Sequence, residues 1–115
     1  MIRQGEVYLV EFGKNYKSEF GKIRPAVILQ SDIFNALLLT KKYKSVLVVP
    51  LSTLDEETEY KIKIKSRDRL KKDSFIVASW ICSVDLDRIM IEKGLITKLS
   101  SEELKELKEK ICRLL

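Results

Sequence analysis

Ser45-Val-Leu-Val-Val-Pro50, running on into Leu51-Ser52-Thr53, is the stretch that decides the fold. Its apolar run is unbroken, the pattern of a strand covered on both faces. Pro50 falls near the end, where a missing ladder donor is tolerated. Such a strand needs neighbours beside it and cover on either side, and the chain supplies both. Tyr60-Lys-Ile-Lys-Ile-Lys65 alternates strictly, with Tyr60, Ile62 and Ile64 on one face and three lysines on the other. This predicts a half-buried antiparallel strand with a basic outer face. Ser74-Phe-Ile-Val-Ala-Ser-Trp80 reads as a further strand running on towards Val84, and Ile89-Met-Ile91 as a short edge strand. Upstream, Val7-Tyr-Leu-Val10 is a strand rich in β-formers. Arg24-Pro25 opens another, through Gln30; Pro25 fixes its own φ and presses Arg24 into an extended conformation. Ser31 is a candidate N-cap for a short helix over residues 32–39. Ser100-Ser-Glu-Glu103 has capping-box spacing, and Leu104, Leu107, Ile111 and Leu114 follow as one apolar stripe. That predicts an amphipathic helix over residues 101–114. Short strands followed by one terminal helix make the chain mainly β with α, a small and strongly bent antiparallel barrel.

The 115 residues suit a single domain, 1–115. Hydrophobic residues make up 45% and aromatic residues 8%, enough for a packed core and against disorder. The net charge of +5 fits a nucleic acid or an acidic protein as partner. There is no histidine, which removes the commonest general base and the commonest neutral metal ligand. A Ser-His-Asp triad, a Cys-His dyad and an H-E-x-x-H zinc site are all excluded, and neither metal nor cofactor is expected. Cys82 and Cys112 form no C-x-x-C pair and read as two buried free thiols, pointing to a reducing compartment. No apolar h-region and no membrane-length apolar run is visible, so a cytoplasmic protein away from membranes is expected.

Several residues could carry chemistry. Arg24 is a permanently charged fork of donors at a strand start, suited to phosphate oxygens. Ser52 and Thr53 close another strand, and in a small antiparallel sheet the two ends can lie side by side. Donors aimed in advance stabilise charge that develops in a transition state. RNA brings its own nucleophile, the 2′-hydroxyl, so a site without histidine or metal can still cleave it. From spacing alone, an exposed charge and a turn hydroxyl account for the same residues more readily than catalysis does. Lys61, Lys63, Lys65, Arg67, Arg69, Lys71 and Lys72 form a basic array opposed within its span only by Asp68. It reads either as a phosphate-neutralising surface or as a solvated strand face. The loop over residues 13–22 carries Lys17, Glu19 and Lys22, while residues 55–59 form an acidic loop. Trp80 is either core mass or a platform for stacking a base.

Four stretches, in order, resemble the MazF/PemK/Kid family of toxin endoribonucleases. Gln4-Gly5-Glu6-Val7-Tyr8 is similar to the family's opening, and Ser18-Glu19-Phe-Gly21-Lys-Ile-Arg24-Pro25-Ala26-Val27 to its G-S-E-x-G-x-x-R-P signature. Val48-Val49-Pro50-Leu51-Ser52-Thr53 matches its proline strand, and Leu70 to Val77 with Val84 to Ile89 its later strand and turn. The resemblance implies an SH3-like barrel of the CcdB/MazF/PemK type with a C-terminal helix, acting as a homodimer. It implies metal-independent cleavage of single-stranded RNA, or mRNA, to 2′,3′-cyclic phosphate and 5′-hydroxyl ends, and a cognate antitoxin as partner. The family's catalytic residues fall on Arg24, Ser52 and Glu19. Thr53, Lys22, Lys17, Trp80 and Ser83 are the residues expected to touch substrate. An arginine is too weak an acid to serve easily as a general base, so Arg24 is expected to stabilise the transition state while Ser52 orients the phosphate. The chain departs from the family where Trp80-Ile81-Cys82-Ser83 stands in place of Gln-I/V-R/K-S/T. Two other classes remain open at this point: a non-catalytic, CcdB-type inhibitor of DNA gyrase, and an SH3-like nucleic-acid or peptide binding module.

Overall fold

A computed structural model describes residues 1–13, 23–54 and 58–115. The strands are β1 (Glu6–Glu11), β2 (Ile23–Ile28), β3 (Ser45–Ser52), β4 (Lys61–Ile64), β5 (Ser74–Val77), β6 (Cys82–Asp85) and β7 (Thr97–Lys98); the helices are α1 (Asp32–Leu37) and α2 (Ser101–Leu114). All pairings are antiparallel, in the order β4-β5-β3-β2-β1-β7, with β6 also on β3. The result is a curled half-barrel around β3, as the unbroken apolar run of that strand requires.

Both faces of β3 are buried, by alternate residues. Leu47, Val49 and Leu51 join a core with Val27, Ile62, Ile76 and the α2 residues Leu107 and Ile111. Val46 and Val48 join a second core with Tyr8, Val10, Ile28, Val84 and Ile89. The capping box at Ser100 is formed, its hydroxyl accepting from the Glu103 N–H while the Glu103 carboxylate accepts from the Ser100 N–H. Ser31 caps α1 as expected, and Leu38–Thr40 continue as a 3-10 turn.

The sharpest departure from expectation lies between β5 and β6. Residues 74–84 look like one strand, yet the chain breaks into a 3-10 turn at Ala78–Trp80. Leu51 pairs with Ile76 and Val48 with Cys82, so three surplus residues sit opposite Val49 and Pro50. The Leu47 carbonyl accepts N–H bonds from Leu29 and Gln30 on the β2 side. By alternation, Pro50 addresses the opposite side, where it has no N–H to give. The surplus residues loop out where that donor is missing.

Smaller departures follow the same logic of local pairing. β2 stops at Ile28 rather than Gln30. Ile89 makes only an isolated bridge to Val10, and Ile91–Lys93 form a 3-10 turn instead of an edge strand. Tyr60 and Leu114 are exposed: Tyr60 precedes the first residue of β4, and Leu114 is the last residue of α2. Both cysteines are free, but only Cys82 is half-buried; Cys112 lies exposed near the end of α2. No described helix is long and apolar enough to cross a membrane.

Candidate active site

Three backbone facts assemble the site. Ala26 pairs with Pro50 at the end of the β2–β3 ladder, and just beyond it the Arg24 Nη1 reaches the Leu51 carbonyl, with Ser52 next in the chain on the same groove. The 3-10 turn at Ala78–Trp80 carries Trp80 to the same place, with the Arg24 guanidinium carbon 5.3 Å from its ring centroid. The hairpin end over residues 67–72, closed by the Arg67–Leu70 bridge, forms the opposite wall. Between them runs an open groove of about 1250 Å³. Pro25, Leu51, Leu70 and Ile96 give it apolar walls; Arg24, Ser52, Thr53, Asp68, Lys71, Lys72 and Trp80 give it polar and aromatic ones.

Arg24 is under-compensated for a cation in this position. One Nη1 donates to the Leu51 carbonyl over a long 3.3 Å, and the Nε is enclosed with no hydrogen-bond partner among the described residues. No described carboxylate pairs with it. Burial pushes its pKa down from the ordinary guanidinium value, the direction expected when charge is taken from water without an anion to meet it. Arginine remains a cation even so.

Ser52 is buried, and its Oγ accepts the Leu54 N–H at 3.1 Å, a short side-chain turn that closes β3. This contact uses a lone pair and leaves the hydroxyl proton to donate. Thr53 is exposed on the groove wall beside it.

The basic array divides by what each cation touches. Arg67 is committed to structure: Nη1 and Nη2 take the two Glu103 oxygens at 2.8 and 2.7 Å, Nη2 also reaches the Lys98 carbonyl, and Nε reaches Thr97 Oγ1. The Glu103 hydrogen bonds raise the Arg67 pKa, and the same bonds hold the Glu103 carboxyl below the usual range. Arg69 donates to the Lys93 and Leu95 carbonyls. It crosses Gly94, where φ is +89° and a Cβ would lie 2.5 Å from its Nη1. The Lys61 ammonium sits 5.7 Å from the Phe75 ring centroid. Lys71 and Lys72 remain as exposed cations on the groove wall. Asp68 sits among these charges at φ 51°, its Oδ2 accepting the Thr97 hydroxyl at 2.6 Å.

The structure thus brings together Arg24, Ser52, Thr53 and Trp80 from the residues singled out in the sequence. Ser83 is not with them: it is exposed, and its hydroxyl lies 2.7 Å from that of Ser45, where β3 and β6 start their ladder. Its neighbour Cys82 packs half-buried against the second core, and burial pushes its thiol pKa up. Glu19, Lys17 and Lys22 lie outside the described residues. The Leu51 carbonyl and the apolar walls were not legible in the sequence, since only the register brings them to Arg24. Lys71 and Lys72 had one signal, their place in a charge run directly after the turn.

The fold and groove define a small SH3-like barrel protein with a cationic cleft where two central strands end. The chain belongs to the family of PemK-like, MazF-like toxins of type II toxin–antitoxin systems, whose sequence profile matches residues 3–115. An Endoribonuclease MazF of Staphylococcus saprophyticus subsp. saprophyticus is 34% identical over 116 residues, covering 96% of this chain and 88% of that one. A crystal structure of MazF from Deinococcus radiodurans superposes with a TM-score of 0.74 at 15% identity, over 98% of this chain and 94% of the other. A mycobacterial endoribonuclease in complex with its cognate antitoxin superposes with a TM-score of 0.73 at 14% identity, over 98% and 93%. At these identities the two structures speak to the fold.

Proposed function

We propose that this toxin is an endoribonuclease that cleaves single-stranded RNA without a metal, working in the cytoplasm as one domain over residues 1–115. One observation carries the reading. Arg24 is a part-buried cation with no described anion beside it, at the base of a groove that also presents the Ser52 hydroxyl, Lys71 and Lys72. A phosphodiester supplies the missing negative charge. The volume of the groove, about 1250 Å³, and its apolar walls suit an extended strand with unstacked bases rather than a compact anion.

The chemistry uses the substrate's own nucleophile. The 2′-oxygen bonds to phosphorus while the P–O5′ bond breaks, the 2′ proton leaves to water, and the departing 5′ oxygen takes a proton from water. The products are a 2′,3′-cyclic phosphate and a 5′-hydroxyl. Arg24 meets the charge building on the phosphoryl oxygens, where a fixed donor acts most strongly. Ser52, with its acceptor side occupied by Leu54, donates its proton to a phosphate oxygen and orients it. Thr53 lines the path of the strand, and Lys71 and Lys72 neutralise flanking phosphates. Glu19 is assigned the loop carboxylate of the reaction, and Lys17 and Lys22 further phosphate contacts, on the resemblance alone.

The mycobacterial relative is captured with its cognate antitoxin, which supports an antitoxin as this chain's regulatory partner. A homodimer is proposed on the family resemblance. The test is incubation of purified protein with a long mRNA in EDTA, followed by mapping of the new 5′ ends. Discrete cuts that disappear in Arg24→Ala and weaken in Ser52→Ala support the reading. A folded protein that leaves the RNA intact, or one that inhibits gyrase instead, refutes it.

A further inference from the structure

The three surplus residues opposite Pro50 do more than absorb a register jump. Ala78 is fully buried in the core beneath α2, and its N–H donates to the Tyr60 carbonyl at 2.8 Å. Ile81 packs against the same core and closes the turn with a bond to the Ala78 carbonyl. Trp80 is therefore carried between two anchored residues and has little freedom to swing away. Its ring faces the guanidinium of Arg24, which no described carboxylate holds in place.

We propose that Trp80 is the positioning residue of the active site: its indole face holds the Arg24 guanidinium by a cation–π contact and leaves the in-plane donors free for the phosphate.

The physical reason lies in what each kind of partner uses up. A carboxylate or amide beside an arginine binds in the plane of the fork and occupies N–H groups. An aromatic face binds perpendicular to that plane and occupies none. Among the described residues only one in-plane donor is spent, on the Leu51 carbonyl. The indole replaces part of the compensation lost on burial without competing with the substrate. A guanidinium oriented in advance also spares the reaction the entropy of aligning it, which appears in the chemical step rather than in substrate binding. This differs from the base-stacking role expected of Trp80, which would appear in substrate affinity.

The inference rests on the nuclease reading, so wild-type cleavage with its loss in Arg24→Ala is the first control; absence of both refutes that reading and this one with it. Given cleavage, steady-state kinetics on a short RNA substrate in EDTA compare the wild type with Trp80→Leu and Trp80→Phe. A desolvated cation–π contact predicts that Trp80→Leu lowers kcat about 5- to 30-fold. KM stays within about twofold, the cut sites do not move, and Trp80→Phe recovers most of the loss. Trp80 is the only tryptophan in the chain, so cell-free synthesis with mono-, di- and trifluorinated tryptophan changes the π face and little else, even if Trp80→Leu folds poorly. kcat is expected to fall stepwise with fluorine number. A flat fluorination series overturns the proposal, as does a rise in KM at constant kcat, which would assign Trp80 to base stacking.

Discussion

Arg24→Met separates stability from activity with opposite signs. The native guanidinium is part-buried, and its described compensation is one carbonyl bond of 3.3 Å and the face of Trp80. Such a bond and such a stack are each worth about 1–2 kcal/mol, against a desolvation penalty of several kcal/mol for an ion. Methionine keeps an apolar stem of similar length and removes the charge. The balance predicts that Arg24→Met is more stable by about 0.5–1.5 kcal/mol, as expected where a functional charge is held at the expense of stability. In urea, with a slope near 1–2 kcal/mol/M, the unfolding midpoint rises by about 0.3–1 M at constant slope. Cleavage moves the other way. Losing a charged donor aimed at the reacting phosphate costs about 10²–10³ in kcat. Arg24→Lys keeps the charge but loses the fork and the flat face, and is expected to recover little of that rate. The pair of assays is equilibrium urea denaturation by far-ultraviolet circular dichroism and single-turnover cleavage in EDTA. A midpoint that falls at unchanged slope would mean that Arg24 holds the fold together, and the reasoning about an under-compensated cation would be wrong. Unchanged cleavage would remove it from the chemistry.

Glu103→Gln removes the Arg67 ion pair and weakens the α2 cap, and should destabilise by about 1–2 kcal/mol by urea titration. The hydrogen bonds from Arg67, followed in effect by the Ser100 cap, hold the native Glu103 carboxyl below its ordinary range. Its contribution is therefore complete above the unfolded value of about 4.3 and is lost as pH falls through the folded one; Glu103→Gln should flatten this acid limb. Replacing both Lys71 and Lys72 with alanine should weaken RNA binding across sequences and reduce the log–log salt slope by about 1.4, measured by fluorescence anisotropy with a non-cleavable oligonucleotide. The same measurement on Arg67→Ala should show a smaller change in slope, since that cation already faces a carboxylate. Ser83→Ala should leave cleavage within about twofold, because its hydroxyl faces Ser45 on the exposed strand surface. A larger loss would return Ser83 to the site.

Much of this protein was legible in one dimension because its signals are local. The alternation of Tyr60 to Lys65, the unbroken run of Ser45 to Pro50 and the capping box at Ser100 each report a backbone period or a hydrogen bond closed within a few residues, and each element formed on its pattern, the first without its end residues Tyr60 and Lys65. Arg24-Pro25 announced a charge on a stiff strand start, and the missing histidine confined the chemistry. What the chain alone left undecided were relations between strands. Whether Arg24 faces Ser52 depends on register, which pairs residues far apart in sequence. Whether Trp80 is core, stacking platform or neighbour to Arg24 depends on three residues looped out opposite a proline two strands' length away in the chain. The seven-residue basic array looked uniform until the fold gave Arg67 to Glu103, Arg69 to two carbonyls and Lys61 to Phe75, left Lys63 and Lys65 exposed away from the groove, and set Lys71 and Lys72 on the groove wall. Composition and period act along the chain and specify elements; partners, and with them burial, charge compensation and the aim of a donor, exist only once those elements are packed.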